Sequence, residues 1–223
     1  MNTINTFVNR VLWGDCIEVM RQMPSQSIDL VVTDPPYLVN YTDRYGRSIA
    51  NDIHDGWVEP AFTQVYRLLK PDTFCISFYG GNHAEKFQLA WKAAGFTPVG
   101  HFVWVKPYAS KIGFTQARHE QAYLLAKGHP EKPGSPPADV RQDWRYTGNR
   151  LHPTQKPVEA LLPLIEAYSK PGDVVLDPFA GSGTTVVAAQ RLGRQAVGVE
   201  LDWGYCCIGN ERLAEGGKDT DVL

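Results

Sequence analysis

Residues 28–37 read Ile28-Asp29-Leu30-Val31-Val32-Thr33-Asp34-Pro35-Pro36-Tyr37, and this stretch decides the fold. Its apolar first half predicts a buried strand that ends at Asp34. Each proline fixes its own φ, lacks an N–H and holds the preceding residue extended, so Asp34 and Pro35 become rigid acceptors. A carboxylate and a fixed carbonyl next to the ring of Tyr37 suit the exocyclic amine of a flat heterocycle, because that amine has two N–H groups to donate. A plain strand-ending turn is the alternative that this stretch alone leaves open.

A second strand, turn and helix start lies at residues 174–185, Val174-Val175-Leu176-Asp177-Pro178-Phe179-Ala180-Gly181-Ser182-Gly183-Thr184-Thr185. It lacks the lysine that follows the glycines of a phosphate loop. It also lacks the glycines that a nucleophile elbow has two positions before and two positions after its serine, which here would be Ser182. Asp177 repels a pyrophosphate and attracts a cationic amino-acid or sulfonium group. Glu200 ends the next predicted strand, where an acid can accept from ribose hydroxyls. Together these features predict a pocket for S-adenosylmethionine, with a tight turn carrying incidental acids as the alternative.

The composition fits one α/β domain. The chain has 223 residues, of which 43% are hydrophobic and 21% are charged. No apolar run approaches the roughly 18 residues that span a bilayer, and the first residues lack the pattern of a signal peptide. The cysteines have no metal-ligand spacing and the histidines are scattered, so we expect free thiols in a reducing cytoplasm and no metal site. The four cysteines are Cys16, Cys75, Cys206 and Cys207.

The charge is unevenly distributed along the chain. The net charge is −2, but residues 101–156 carry nine Lys or Arg against four Asp or Glu, while the remainder carries 13 against 20. A basic segment in an acidic protein indicates a surface for a polyanion on one face. A solvated charged loop is the alternative explanation.

Strand and helix patterns alternate at the spacing of βαβ units, which predicts an α/β fold with a mainly parallel sheet between two layers of helices. The predicted strands are 9–13, 28–32, 73–79, 98–105, 121–126, 174–176 and 195–199. The predicted helices are 17–23, 57–69, 84–94, 158–169, 184–192 and 202–213. Residues 38–55 form a long polar loop, which is typical of a lid, and residues 128–148 look irregular because they are rich in proline. We expect the first strand to lie beside the last, and the strands that end at Asp34 and Asp177 to be neighbours.

Taken together, the motifs resemble those of the DNA amino-methyltransferases of the β arrangement, in which the target-amine motif precedes the cofactor motif. The matching blocks are Gly14-Asp15-Cys16, Asp34-Pro35-Pro36-Tyr37, Tyr66-Arg67-Leu68-Leu69-Lys70-Pro71, His152-Pro153-Thr154-Gln155-Lys156-Pro157 and residues 177–185. The aspartate that opens the second block is the usual N6-adenine form, whereas N4-cytosine relatives more often have serine there. The resemblance covers nearly the whole chain.

The resemblance implies a single Rossmann-like methyltransferase domain over residues 1–223 that uses S-adenosylmethionine. It assigns catalysis to Asp34, Pro35, Pro36 and Tyr37. It assigns cofactor binding to Asp15, Cys16, Asp34, Thr154, Lys156, Asp177, Pro178, Phe179, Gly181, Ser182, Gly183, Thr184, Thr185, Glu200, Leu201 and Asp202. The resemblance implies that the block at residues 152–157 helps to hold the methionine carboxylate and that the block Gly14-Asp15-Cys16 contacts the adenine of the cofactor.

The resemblance also implies a small inserted target-recognition region at residues 106–151, and double-stranded DNA as the partner. The basic residues in that region and in the 38–55 loop are the candidate DNA contacts: Arg44, Arg47, Lys106, Lys111, Arg118, His119, Arg141, Arg145 and Arg150. Family relatives often form dimers, so a homodimer is expected, and a cognate restriction nuclease is left open. An N4-cytosine enzyme is the nearest alternative, followed by an RNA or small-molecule amine methyltransferase.

Overall fold

The computed structural model describes residues 3–43 and 45–216. Within them the chain forms one eight-stranded sheet flanked by helices. The strands are β1 (Arg10–Trp13), β2 (Ile28–Thr33), β3 (Leu69–Phe78), β4 (Thr97–Val105), β5 (His119–Lys127), β6 (Val140–Arg141), β7 (Val174–Asp177) and β8 (Gln195–Glu200). The α-helices are α1 (Cys16–Arg21), α2 (Val58–Leu68), α3 (Ala84–Ala94), α4 (Val158–Tyr168), α5 (Thr184–Arg191) and α6 (Trp203–Ala214).

The strand order across the sheet is β1-β8-β7-β2-β3-β5-β4-β6. The predicted neighbours are confirmed, since β1 pairs with β8 and β2 pairs with β7, both in parallel. β5 is antiparallel to both β3 and β4. The connection from β4 to β5 at residues 106–118 contains no crossover helix, and strands joined in this way run antiparallel. The sheet is therefore mainly parallel, as predicted, with β5 as the exception.

Both faces of the sheet are covered, so the predicted three-layer arrangement is confirmed. Along β2, Val31 packs into the core under α1, α2 and α3, while Leu30 and Val32 pack into the core under α4, α5 and α6. A strand buried on both sides reads as a continuous apolar run, which is the pattern of residues 30–32 after the partly buried Asp29.

The largest difference from the predicted element boundaries lies between the second helix and the third strand. The helix predicted over 57–69 ends at Leu68, and β3 begins at once and runs through Pro71. The strand was predicted only from residue 73, after Pro71, but proline is tolerated near the start of a strand. The region 106–151 contains β5, a central strand of the sheet, together with the short β6.

The described residues contain no helix long and apolar enough to cross a bilayer. They also contain no group of three or more His, Cys, Asp or Glu side chains arranged to hold a metal ion.

Gly198 allows the turn after β7 to pack directly on β8. A Cβ atom at Gly198 would lie 2.9 Å from the Cβ of Ala180 and 3.1 Å from Val11 Cγ2 and Val186 Cγ1.

We therefore expect Gly198→Ala to lower the free energy of unfolding by about 1–3 kcal/mol, since overpacking a close contact forces the backbone apart. Urea denaturation would measure the loss. Gly56→Ala is the matched control, because a Cβ there meets nothing within 4 Å, and an equal effect in both variants would contradict the packing argument.

Candidate active site

A cavity of about 310 Å³ opens where the parallel strands of the sheet end. In open α/β sheets this edge is where ligands bind, and the volume lies in the range of small-molecule sites. The cavity brings together the four predicted catalytic residues and every predicted cofactor residue except Gly183. Gly183 instead precedes α5, with a positive φ of 86°. The predicted members are Asp15, Cys16, Asp34, Pro35, Pro36, Tyr37, Thr154, Lys156, Asp177, Pro178, Phe179, Gly181, Ser182, Thr184, Thr185, Glu200, Leu201 and Asp202.

Asp34 is held by two donors. The Tyr37 hydroxyl donates to Asp34 Oδ1 at 2.8 Å, and the Lys156 ammonium donates to Asp34 Oδ2 at 2.6 Å. Burial raises the pKa of Asp34 above its ordinary value, although the charge and hydrogen bond of Lys156 oppose that rise. The carboxylate is thus fixed in direction and made a stronger proton acceptor than an exposed aspartate.

Lys156 lies between carboxylates. Its ammonium contacts Asp34 and lies 3.9 Å from Glu120 Oε2. Burial alone would lower the pKa of Lys156, but the charges of Asp34 and Glu120 raise it above its ordinary value. The side chain therefore stays charged. Lys156 belongs to the block that the resemblance associates with the methionine carboxylate, and its ammonium lies against Asp34.

Tyr37 packs against a glycine that the sequence analysis treated only as a break. A Cβ atom at Gly80 would lie 2.8 Å from Tyr37 Cβ. The Lys156 ammonium lies 5.3 Å from the centroid of the Tyr37 ring. The ring is consequently fixed between the end of β3 and a cation.

Asp177 is the second buried acid of the cavity. Its Oδ1 accepts hydrogen bonds from the Thr33 hydroxyl at 2.9 Å and from the Phe179 N–H at 3.0 Å. Burial raises the pKa of Asp177 to about 7, although these donors and the Thr185 side chain oppose the rise. Such a carboxyl is poised to ionise when a cation enters the cavity, because a nearby positive charge favours the charged form.

Three further acids fix the backbone around the cavity. Glu200 accepts hydrogen bonds from the Gly181 N–H and the Asp202 N–H, both at 2.8 Å, and burial raises its pKa. Asp15 caps α1 and Asp202 caps α6 through side-chain hydrogen bonds to backbone N–H groups. Each of these carboxylates retains lone pairs for a ligand, because a carboxylate offers about four acceptor sites.

Two side chains in the cavity are held neutral. Burial raises the pKa of the Cys16 thiol to about 12, and the charge of Asp15 adds to the rise. Burial lowers the pKa of His152 to about 4, and its ring packs 4.5 Å from that of Tyr205. The formal charges that line the cavity are therefore carried by its carboxylates and by Lys156.

Part of the cavity wall comes from the 38–55 loop, which the sequence predicts to be typical of a lid, although its lining residues were not assigned to the site. The loop at 38–55 folds over the cavity because Asp52, which is 1% exposed, accepts hydrogen bonds from the Val39 and Tyr41 N–H groups. A single aspartate in a polar loop gives little sign of that role. The lining residues that were not predicted and that bear polar or aromatic groups, or belong to this loop, are Thr33, Val39, Tyr41, Ser48, Ile49, Ala50, Asn51, Asp52, Phe78, His152, Gln155 and Tyr205.

The predicted DNA contacts that the structure describes do not line the cavity, and they differ in accessibility. Lys111, Arg118, His119, Arg145 and Arg150 are exposed. Arg44 lies outside the described residues.

Three of the predicted DNA contacts are engaged within the protein. Lys106 is only 2% exposed. Arg47 pairs with Asp43, and Arg141 pairs with Asp143. Lys106 in particular has no surface from which to reach a phosphate.

The sequence was compared with known families and proteins. A profile of N6/N4 methyltransferases, described as DNA methylase, matches residues 28–211. YubD of Escherichia coli (strain K12) is 51% identical to this chain over 207 residues, which cover 93% of this chain and 91% of YubD. The type II methyltransferase M.HinfI of Haemophilus influenzae is 28% identical over 253 residues, which cover 95% of this chain and 70% of M.HinfI.

The fold was compared with solved structures. TTHA0409 of Thermus thermophilus matches with a TM-score of 0.74 and 28% identity, covering 94% of this chain and 96% of that chain. The structure of TTHA0409 in complex with S-adenosyl-L-methionine matches with a TM-score of 0.68 and 27% identity, over the same shares of both chains.

The buried Asp177 makes stability depend on pH in a defined direction. Its pKa is raised from 3.8 to about 7 by folding, so its contribution to stability is present at low pH and is lost as pH rises through 7. Asparagine does not titrate. We expect the free energy of unfolding of Asp177→Asn, relative to wild type, to increase by roughly 2 kcal/mol between pH 5.5 and pH 8.

Urea unfolding without ligand at the two pH values would test this. Glu131→Gln, which changes an exposed carboxylate, is the control. A difference between Asp177→Asn and wild type that is the same at both pH values would contradict the assignment.

Proposed function

Since the chain belongs to the DNA methylase family and is an S-adenosylmethionine-dependent DNA methyltransferase, we propose that it methylates the N6 amine of adenine in a base flipped out of duplex DNA. One observation carries this proposal. Asp34 of the target-amine motif and Asp177 of the cofactor motif line the same cavity. A methyl donor and an amine acceptor bound there would be adjacent, and positioning of this kind supplies much of a catalytic rate.

The donor set of the cavity fits S-adenosylmethionine. Asp177 and Glu200 are acids at the ends of neighbouring strands, suited to a cationic amino-acid portion and to ribose hydroxyls respectively. Asp15 and Cys16 line the same side as Glu200 and would bound the adenine. When bound, the cofactor supplies a methyl group on sulfonium, and the electrons of the broken C–S bond remain on sulfur.

Asp34 and the Pro35 carbonyl would each accept one N–H of the target amine. Accepting both hydrogens favours a pyramidal nitrogen whose lone pair is free to form the new N–C bond. As that bond forms, the nitrogen becomes positive and its surplus proton passes to Asp34. The raised pKa of Asp34 suits it to receive that proton. Tyr37 would stack on the base, which must leave the duplex to reach the cavity.

Adenine is favoured over cytosine by the first residue of the target-amine motif. The family contains both N6 and N4 enzymes, and Asp34 has the side chain usual in the N6 form. An N4-cytosine enzyme is the second candidate, because both amines present two N–H groups to the same acceptors.

The hairpin at residues 106–118 is our proposed DNA surface within the target-recognition region. It is closed by backbone hydrogen bonds between Lys106 and Arg118 and between Lys111 and Ala117. Lys111 and Arg118 are exposed, and Phe114 is fully exposed at the tip. Cations around a flat apolar side chain suit contact with phosphates and bases. Lys106 is left out of this surface because it is buried.

We expect Asp34→Ala to lower the rate of DNA methylation by at least about 10²-fold, since it removes a fixed acceptor for the target amine. Its affinity for S-adenosylmethionine, measured by calorimetry, should stay within about threefold of wild type. Asp34→Asn, which keeps the shape of the side chain, should be impaired to a similar degree. Full activity in both variants would contradict the role of Asp34.

Mapping of the methylated bases in DNA tests both the target base and the DNA sequence that the protein recognises. DNA from methylation-free cells expressing the protein should contain N6-methyladenine at a defined sequence, detected by single-molecule sequencing and by mass spectrometry of the nucleosides. N4-methylcytosine would select the second candidate. Methylation of structured RNA in place of duplex DNA would overturn the proposal.

The double variant Lys111→Glu, Arg118→Glu should weaken binding to duplex DNA by about tenfold or more. The slope of the logarithm of the binding constant against the logarithm of the salt concentration should fall by the equivalent of about two released counterions. Fluorescence anisotropy at several salt concentrations would measure both quantities. Arg10→Glu is the matched control, because Arg10 is exposed at the opposite end of the strands. Equal losses in both proteins would show a general charge effect.

The expected homodimer, the cytoplasmic location and any cognate restriction nuclease are further proposals. Light scattering on the purified chain would measure the oligomeric state directly.

A further inference from the structure

The antiparallel strand β5 carries an acid to the catalytic edge of the sheet. In a parallel strand only the carboxyl end reaches that edge, but β5 runs the other way, so its amino end lies there. Glu120 is the second residue of β5 and pairs with Trp104 of β4. Lys106, just after β4, reaches the same edge from the neighbouring strand.

Four alternating charges connect this strand to the catalytic aspartate. The Lys106 ammonium lies 2.7 Å from Glu120 Oε1, and Glu120 Oε2 lies 3.9 Å from the Lys156 ammonium. Lys156 in turn lies 2.6 Å from Asp34 Oδ2. Lys106 also donates to the Ser110 hydroxyl at 2.8 Å, which holds it in place. Two carboxylates and two ammonium groups balance, so no net charge is buried in this chain of groups.

The arrangement leaves one difficulty for the proposed reaction. Both oxygens of Asp34 already accept a hydrogen bond, one from Tyr37 and one from Lys156. A target amine that donates to Asp34 must share an oxygen with Tyr37 or with Lys156, or displace one of them, and sharing with a charged ammonium weakens the acceptor. Moving a buried ammonium away from its carboxylate is expensive unless a second carboxylate receives it.

We propose that Glu120 is a positioning residue for methyl transfer: it shares the Lys156 ammonium with Asp34 and so leaves Asp34 an oxygen with which to hold the target amine. This inference rests on the proposed role of Asp34. A shift of Lys156 by about 1 Å toward Glu120 would complete a normal ion-pair distance. Lys106 holds the other oxygen of Glu120 in place. Glu120 therefore stays close to Lys156, while the Lys156 ammonium remains in contact with Asp34. Glu120 does not line the cavity, so it acts on the reaction through its contact with Lys156 and through its negative charge near Asp34 and Tyr37.

Two variants should move the pH dependence of the rate in opposite directions. Glu120→Gln removes a negative charge that raises the pKa of Asp34, and it leaves Lys156 paired with Asp34 alone. Lys106→Gln removes the cation that holds Glu120, so Glu120 attracts Lys156 more strongly and Asp34 is less neutralised. The acid limb of the rate profile reports ionisation of Asp34. It should move to lower pH in Glu120→Gln and to higher pH in Lys106→Gln.

Other titratable groups face this cluster from each element packed against it and are left intact in both variants. They are Tyr37 after β2, Tyr108 after β4, His119 on β5, His152 before α4 and Asp177 at the end of β7.

The experiment is single-turnover methylation of duplex DNA by the full chain at saturating S-adenosylmethionine, from pH 5 to pH 9. Glu120→Gln should lower the plateau rate by roughly tenfold. Its affinity for S-adenosylmethionine should stay within about threefold of wild type by calorimetry. Glu120→Asp, which keeps the charge on a shorter side chain, should recover part of the rate. Glu131→Gln, an exposed carboxylate, should match wild type throughout.

An unchanged rate and acid limb in Glu120→Gln would overturn the inference. A lower plateau with an unmoved acid limb in both variants would also overturn it, because that is the result of a merely structural role. If Glu120→Gln fails to fold, Glu120→Asp and Lys106→Gln still decide the question. Absence of DNA methylation by wild type would instead refute the proposed function, so the two failures are distinguishable.

Discussion

The pairing of β2 with β7 is the constraint on which the rest of the site depends. Leu30 lies opposite Val175 and Val31 opposite Leu176, so the two strands end side by side. The hydrogen bond from the Thr33 hydroxyl to Asp177 ties those ends together at 2.9 Å. This register is set by buried apolar residues, and a slip by one residue would turn each side chain to the other face of the sheet. The adjacency of the two motifs is therefore a product of core packing.

Burial then gives these acids their chemistry. Desolvation raises the pKa of Asp34 and of Asp177, but the two carboxyls have different partners. Asp34 has a cation beside it and stays available as an acceptor of hydrogen bonds. Asp177 has only neutral hydrogen-bond donors around it, so its ionisation can respond to the charge of a ligand that enters the cavity. One cavity thus holds two acids with distinct tasks, separated by environment and not by residue type.

The sequence predicted the parts of this site that follow from strand ends and local motifs. The strand before Asp34, the glycine-rich turn after Asp177 and the meeting of β1 with β8 could all be read from apolar runs and turn residues. Glu120 could not, because ligands are expected at the carboxyl ends of parallel strands, and β5 presents its amino end at this edge. Asp52 escaped notice because burial of a loop aspartate depends on how the loop folds back. Lys106 looked like a surface cation, since nothing local distinguishes a lysine that pairs with a distant, buried carboxylate.

The protonated state of the Cys16 thiol affects how readily the protein can be alkylated within its own cavity. A sulfonium methyl group is an electrophile, and thiolates are the strongest nucleophiles among ordinary side chains. Cys16 lines the cavity that such a compound would occupy. Because burial raises its pKa to about 12, the thiol stays protonated at pH 7. The same desolvation that shapes the acids thereby protects the chain from alkylating its own sulfur.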